Sequence, residues 1–410
     1  MKYDLVIVGG GPAGLSAGIR ASEDGLKVLI LEEREYLGGI LPQCVHPGFG
    51  LHYFREDLTG PEFAHRLVEK IKNLNVDFIL ESTVLDISVD GKFKVVKFVS
   101  PRGLEYVQTH AIIYAAGARE RHRFEVGIYG DRVAGVFTAG EAQTLMDIYG
   151  IMPGRDVVIV GSGDVGLIMA RRFALEGARV GAVIEPMPYP GGLARNVVQC
   201  LEDFNIPLYL SHRVLEIRGR KRVEYVKVAR VDEGLKPIEG TEFDIPCDTV
   251  VISAGLVPRT KLLKKMGIRM DPFSGGPVVD GNLETTVPGV FVAGNALMIN
   301  DLVDYVVEQG ELAAQSAVKY INGGVKKERK IPIIPGNNVR FAVPHYVLPG
   351  EDLILYARVK RPVEDSLLVI KEIGLRRRYP VLKPSEMVRI KLSGVDVGDD
   401  VKGLTLEVQE

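Results

Sequence analysis

The stretch Leu5-Val6-Ile7-Val8-Gly9-Gly10-Gly11-Pro12-Ala13-Gly14 decides the fold, because its pattern returns as Val157-Val158-Ile159-Val160-Gly161-Ser162-Gly163-Asp164-Val165-Gly166. In each copy a short apolar run reads as a buried strand, and the glycines after it read as a tight turn that opens a helix. The first glycine permits the bend, the second lets backbone approach a pyrophosphate, and the third lets helix pack closely on strand. Unsatisfied N–H groups and a partial positive charge at the helix start complete an anion site. A lone G-x-G-x-x-G carries little weight, but a strand before it and a helix after it make each copy specific. Gly9, Gly11, Pro12, Ala13 and Gly14 thus form one candidate nucleotide site, and Gly161, Gly163, Asp164, Val165 and Gly166 a second.

Outward from the first turn, residues 12–24 read as a helix and 27–31 as the next strand, with Gly25 between them. The same unit recurs over residues 156–185, so the chain contains an internal repeat. The expected fold class is α/β: two doubly wound Rossmann-like domains plus a small C-terminal β-sandwich-like domain. Each second strand ends in a carboxylate: Glu32 lies eighteen residues beyond Gly14 (32 − 14) and Glu185 nineteen beyond Gly166 (185 − 166). Such a group accepts hydrogen bonds from ribose hydroxyls and repels a 2′-phosphate. No arginine follows Glu185 before Arg195, which favours NAD(H) over NADP(H) at the second site. The bland alternative is a solvated strand end.

After about residue 330 the pattern changes. A charged segment, Lys326-Lys327-Glu328-Arg329-Lys330, reads as a linker. Short runs at Val339–Val343, Leu353–Val359 and Leu367–Ile370, punctuated by Pro and Gly, then alternate like strands. Arg376-Arg377-Arg378 reads as a solvated turn rather than a binding patch. The expected domains are 1–119 and 257–325 for the first nucleotide, 120–256 for the second, and 331–410 as the β domain.

At 410 residues the chain is long enough for two or three cores, and 46% apolar with 25% charged residues is ordinary for a globular protein. A net charge of −2 gives no field toward nucleic acid or an anionic membrane. No apolar stretch is long enough to span a bilayer and no signal-peptide pattern opens the chain, so a cytoplasmic location is the default expectation. Three scattered cysteines, Cys44, Cys200 and Cys247, make neither a disulfide framework nor a metal-ligand set. Abundant Glu, Lys and Arg without tryptophan hints at a thermophile.

Two further segments, Ala111-Ile112-Ile113-Tyr114-Ala115-Ala116-Gly117-Ala118 and Gly289-Val290-Phe291-Val292-Ala293-Gly294-Asn295-Ala296, look like flavoprotein signatures. With them the chain resembles, across residues 1–325, the FAD/NAD(P)-binding pyridine nucleotide-disulfide oxidoreductase superfamily. The resemblance implies FAD at the first turn and NAD(H) at the second. It places Glu32, Glu33, Gly39, Ala116, Gly117, Gly294 and Asn295 beside FAD, and Glu185 and Gly255 beside NAD. Asn295 stands where relatives usually carry an acid on the ribityl chain, which alters that contact. A helix is expected from Asp301 through Gln315, and in relatives its N-terminus aims at the flavin pyrimidine edge.

Disulfide reductases of this superfamily carry a cysteine pair either after the first βαβ unit or before the second glycine turn. Here the first location, Gly38-Gly39-Ile40-Leu41-Pro42-Gln43-Cys44-Val45-His46-Pro47-Gly48, has one cysteine, and the second, Thr138-Ala139-Gly140-Glu141-Ala142-Gln143, has none. A disulfide substrate is therefore not expected. Cys44 reads either as a flavin-adjacent thiolate cycling through a sulfenic acid or as a small buried pocket residue. His46 and His52 are candidate proton donors or partner-facing groups, and Gln43 and Tyr53 belong to the same environment. No spacing supplies a metal site.

Gly38–Gly50, Gly192–Leu201 and Asn295–Tyr305 further resemble a subgroup of FAD oxidoreductases that accompany a glycerol-3-phosphate dehydrogenase-like flavoprotein and a small cysteine-rich protein. Ala116-Gly117-Ala118-Arg119-Glu120-Arg121 is similar to the alpha subunits of dye-linked proline dehydrogenase, sarcosine oxidase and hydrogen cyanide synthase. The resemblance implies an FAD-dependent NAD(H) oxidoreductase working as an electron-transfer subunit of a glycerol-3-phosphate or amino-acid dehydrogenase. Its expected partners are a small iron–sulfur protein and a second flavoprotein subunit in a hetero-oligomer. The alternative is a stand-alone NADH oxidase or peroxidase using Cys44.

Overall fold

The computed structural model describes residues 2–324 and 329–410, so Lys326, Lys327 and Glu328 of the charged segment lie outside the described residues. Among the described residues the helices are α1 (Pro12–Glu23), α2 (Gly60–Lys72), α3 (Ala139–Asp147), α4 (Asp164–Leu175), α5 (Ala194–Cys200), α6 (Lys261–Lys265) and α7 (Val303–Ile321). The chain divides into two compact units, Met1–Ala118 with Pro258–Glu410, and Arg119–Val257.

In the first unit, strands Val76–Ile79, Val28–Leu31, Lys2–Val8, Gly103–Tyr114 and Val290–Val292 run parallel in that order. Strands Phe93–Ser100 and Thr83–Asp90 extend this sheet antiparallel from Gly103–Tyr114. Parallel strands covered on both faces are apolar throughout, and Leu5, Val6 and Ile7 are fully buried. Burying each such side chain contributes about 1.5–3 kcal/mol. α1 and α7 cross closely because Gly310 lacks a side chain: a Cβ there would stand 2.3 Å from the Ala13 carbonyl oxygen. Ser16 Oγ adds a hydrogen bond to Val307 O at 3.0 Å.

In the second unit, Val136–Thr138, Thr249–Ile252, Asp156–Val160, Arg179–Glu185 and Leu208–Leu210 form a parallel sheet in that order. A smaller sheet joins Tyr129–Gly130, His212–Gly219, Val223–Arg230 and Phe243–Pro246. The two glycine turns therefore sit at the carboxyl ends of the central strands of two doubly wound sheets, where such folds bind nucleotides.

The C-terminal strands form two sheets around their own apolar core. One holds Tyr346–Val347, Ile331–Pro335, Leu404–Gln409, Val363–Ile370 and Leu375–Leu382, the other Val339–Val343, Leu353–Val359 and Val388–Leu392. Two expectations are corrected here. Arg376-Arg377-Arg378 lies on the edge strand Leu375–Leu382, not in a turn, because this strand pairs residue by residue with Val363–Ile370. Of the charged segment, Arg329 donates to Gly398 O at 3.2 Å, and Lys330 pairs with the buried Asp280 at 2.5 Å. α7 also begins two residues later and ends six later than expected.

Candidate functional site

Each glycine turn is built where a side chain would not fit. Gly9 and Gly161 adopt φ of +105° and +97°, and a Cβ would stand 2.4 Å from Ala115 O or 2.2 Å from Ser253 O. At Gly14 and Gly166 a Cβ would stand 1.9 Å and 2.4 Å from the carbonyl oxygen of the first glycine. The middle glycines differ: a Cβ at Gly163 meets nothing within 4 Å, and one at Gly11 meets only Gly39 Cα, at 3.6 Å. Space is thus left where a ligand's phosphates approach. Gly11 and Gly163 cap α1 and α4 without any side-chain hydrogen bond, whereas α2 and α3 carry full capping boxes from Thr59–Glu62 and Thr138–Glu141. The free N–H groups at the starts of α1 and α4 face the expected pyrophosphates, which fits FAD and a pyridine nucleotide at these turns.

The two carboxylates are held alike. Glu32, buried, accepts from Gly10 N at 2.6 Å and from Arg34 N at 2.8 Å, one bond on each oxygen. Glu185, buried, accepts from Ser162 N and Met187 N, both at 3.0 Å, again one on each oxygen. Backbone N–H groups fix both carboxylates at the lip of the turn, and both oxygens of Glu32 and Oε1 of Glu185 keep a further lone pair for a ribose hydroxyl. Beside Glu32, Glu33 forms an ion pair with Arg259, and Arg34 donates to Tyr36 and to Gly39 O.

The second turn carries one layer more. Ser162 Oγ donates to Glu185 at 2.6 Å and accepts from Gly191 N at 2.8 Å. Asp164 accepts from Leu193 N and Asn196 Nδ2 at 2.8 and 2.7 Å. The segment 186–193 is thereby laid against the turn by side chains. Val165 is exposed on the first turn of α4, and Gly255, at φ +89°, leaves open space on its Cβ side.

Around the first turn, Gly39 packs on Gly11 with 2.9 Å between its ideal Cβ and Gly11 Cα, and Gly38 N donates to Gly10 O at 2.8 Å. Gly117, at φ +67°, leaves open space on its Cβ side, and Ala116 packs against the core. Gly294, at φ +68°, lies against Ala13 and Val306, with 2.9 and 3.2 Å from an ideal Cβ. Asn295 Oδ1 accepts from Asn300 N at 3.0 Å, so its carbonyl is held by the chain.

Cys44 is 8% exposed, with its thiol 3.5 Å from Ile40 O. His46 Nδ1 lies 3.0 Å from Pro47 O, and His52 is exposed and stacks on Tyr305. Tyr53 donates to Glu311 at 2.7 Å; burial first, then this bond, pushes its hydroxyl pKa above the ordinary range. Sequence reasoning missed Asp304, which is buried and accepts from His52 N and Tyr53 N at 3.0 and 2.7 Å. It also missed the buried Gln309, which accepts from Gly294 N at 3.0 Å and donates to Asn300 at 2.8 Å. The available signal was polar residues on an otherwise apolar helix face, which a buried helix carries only with assigned partners.

The family model described as pyridine nucleotide-disulphide oxidoreductase matches residues 3–317. An opine oxidase subunit from Agrobacterium tumefaciens is 26% identical over 335 residues, covering 77% of this chain and 65% of that relative's length. Hydrogen cyanide synthase subunit HcnB of Pseudomonas protegens is 25% identical over 406 residues, covering 90% of this chain and 82% of the relative. The solved thioredoxin reductase of T. acidophilum superposes with a TM-score of 0.66 at 27% identity, covering 78% of this chain and 98% of that one. Among the described residues no helix is long and apolar enough to cross a membrane.

Proposed function

The chain belongs to the pyridine nucleotide-disulphide oxidoreductase family, and from that membership we propose that it exchanges hydride between NAD(H) and FAD as the electron-transfer subunit of a larger dehydrogenase. FAD bound at the first turn would supply a two-electron acceptor for the hydride of NADH, or the donor in the reverse direction. The observation that carries this reading is the pair of glycine turns with uncapped helix starts and backbone-fixed carboxylates.

The residues bind, orient and select. Open space at Gly11 and Gly163 lets phosphates reach the N–H groups of α1 and α4. Glu32 and Glu185 accept ribose hydroxyls, and Glu185 disfavours a 2′-phosphate. Residues 186–194 offer no cation to offset that repulsion, so NADH is preferred over NADPH. The three cysteines are buried thiols, and Thr138 and Glu141 close a capping box where some relatives carry their cysteine pair. Electrons leaving the flavin therefore pass to an acceptor rather than to a disulfide of this chain.

The reading of a hetero-oligomer, with a second flavoprotein dehydrogenase subunit of glycerol-3-phosphate or amino-acid type and a small iron–sulfur protein, is supported by likeness to two proteins named as subunits. Anaerobic titration tests the hydride step. NADH should bleach the visible flavin absorbance stoichiometrically and NADPH should do so only at much higher concentration; absence of bleaching at millimolar NADH would refute it. Isolation from the native host, with identification of bound chains and cofactors, tests the assembly.

A further inference from the structure

The start of α7 carries carboxylates on two sides, and the C-terminal strands neutralise one side. Glu308 accepts from Tyr356 Oη at 2.9 Å and from Arg389 Nε at 2.8 Å, with a second Arg389 bond to its other oxygen. Asp301, just before the helix, pairs with Arg358 and accepts from Met387 N at 2.5 Å. These four partners come from residues 356–389, beyond the region that the family model matches. On the other side, Asp304 and Glu311 hold the loop through His52 and Tyr53.

This stretch of α7 borders the first glycine turn. Val306 and Ala13 both flank Gly294, and the neighbours of Glu308 are bonded to the same place: Val307 O to Ser16, and Gln309 to Gly294. The ion pairs are sheltered, with side-chain exposures of 28% and 26% for Arg389–Glu308 and 12% and 26% for Arg358–Asp301. Charges in such surroundings are screened less than surface charges and act on groups beyond their immediate partners.

We propose that residues 329–410 act as an electrostatic brace on the first cofactor site, with Arg358 and Arg389 offsetting Asp301 and Glu308 so that these carboxylates do not oppose negative charge on the reduced flavin. Asp301 and Glu308 are positioning residues in this scheme, acting through α7. The inference rests on the reading that the first turn holds FAD.

The test is a set of charge variants of the full chain, with flavin potential measured against a redox dye, FAD affinity by titration of apoprotein, and thermal unfolding of the apoprotein. Arg389→Gln leaves a carboxylate uncompensated and is expected to shift the oxidised-to-reduced ratio toward oxidised flavin by about threefold or more. Glu308→Gln leaves an arginine uncompensated and is expected to shift it by a similar factor the opposite way. The double variant should return most of the way to the parent value. A purely structural contact would lower the unfolding temperature in both single variants and move the potential in one direction or not at all; that outcome overturns the proposal. Asp365→Ala, which breaks the exposed Arg378–Asp365 pair elsewhere in the same strands, should leave potential and FAD affinity unchanged. Flavin that binds but is not bleached by NADH refutes the hydride reading alone, whereas flavin that binds with unmoved potential in the variants refutes the brace alone.

Discussion

The two glycine turns share a βαβ frame and a carboxylate fixed by backbone N–H groups, yet they are closed by different kinds of contact. At the first, the closest contacts are backbone on backbone, Gly38–Gly39 on Gly10–Gly11, with Gly294 set against the Ala13 methyl. At the second, side chains do the holding: Ser162 and Asp164 draw the segment 186–193 over the turn by hydrogen bonds. Close-packed glycines have no rotamer to yield, whereas a hydroxyl or carboxylate can exchange one partner for another. The contrast is the one expected between a cofactor that stays and one that enters and leaves on each turnover. Gly10 and Ser162 hold corresponding positions. A Cβ at Gly10 would lie 2.6 Å from Leu37 Cδ2, so a serine there would require the Leu37 side chain to move.

The largest effect is expected where the two sites are alike. Gly14→Ala drives a methyl to 1.9 Å from Gly9 O, a backbone atom that cannot rotate away. The cost should be about 3 kcal/mol or more, enough to abolish FAD retention and much of the soluble yield. Flavin absorbance of the purified protein reads this directly, and a normal flavin content would show that the turn relaxes far more than its packing implies. Next comes Gly163→Ala, where the added methyl meets only open space. Fold and flavin should persist, but the methyl stands in the path of the pyrophosphate, so KM for NADH should rise about tenfold or more. An unchanged KM would mean that the second turn does not bind the pyridine nucleotide in this way.

How far these sites are legible in the sequence follows the same division. Gly9–Gly14, Gly161–Gly166, Glu32 and Glu185 can be named from sequence because local chain geometry demands those residue types at those spacings. The packing of Gly38–Gly39 on the first turn and the partners of Asp304 and Gln309 depend on segments far apart in the chain, which spacing does not encode. Asp164 reads as a cofactor residue from its place in the motif, yet its carboxylate is bonded to Leu193 and Asn196. Ser162 looks like a neutral substitute for glycine, although its hydroxyl bridges Glu185 and Gly191. The C-terminal strands are readable as strands from their alternation. Arg376–Arg378 misleads because three charges in a row resemble a turn, while this edge strand is open to solvent on both faces here and exposes all three.

Ser162→Ala sharpens the comparison at smaller scale. It removes one acceptor from Gly191 N and one donor from Glu185, while the Ser162 N–H bond to Glu185 remains. A loss of about 1 kcal/mol, or roughly fivefold in KM for NADH, is expected, with FAD content unchanged. Stopped-flow mixing with NADH should place the change in the binding phase. A loss of FAD instead would break the comparison, because it would tie the side-chain layer of the second turn to the stability of the first.

The smallest effect is expected at Cys44. Its side chain is 8% exposed and wedged beneath the first residue of α2, where Gly60 N donates to Cys44 O at 2.9 Å and a Cβ on Gly60 would come within 2.8 Å of Cys44 Cβ. These contacts pack Cys44 against the start of α2, which favours a packing role over a sulfenic acid at this position. Cys44→Ser is nearly isosteric, so NADH-dependent bleaching and steady-state turnover should both stay within about twofold of the parent. If bleaching persists while oxygen- or peroxide-dependent turnover collapses, the thiol is the second redox centre and the stand-alone oxidase reading replaces the subunit reading. If both are retained, the electrons leave the flavin without a sulfur intermediate of this chain.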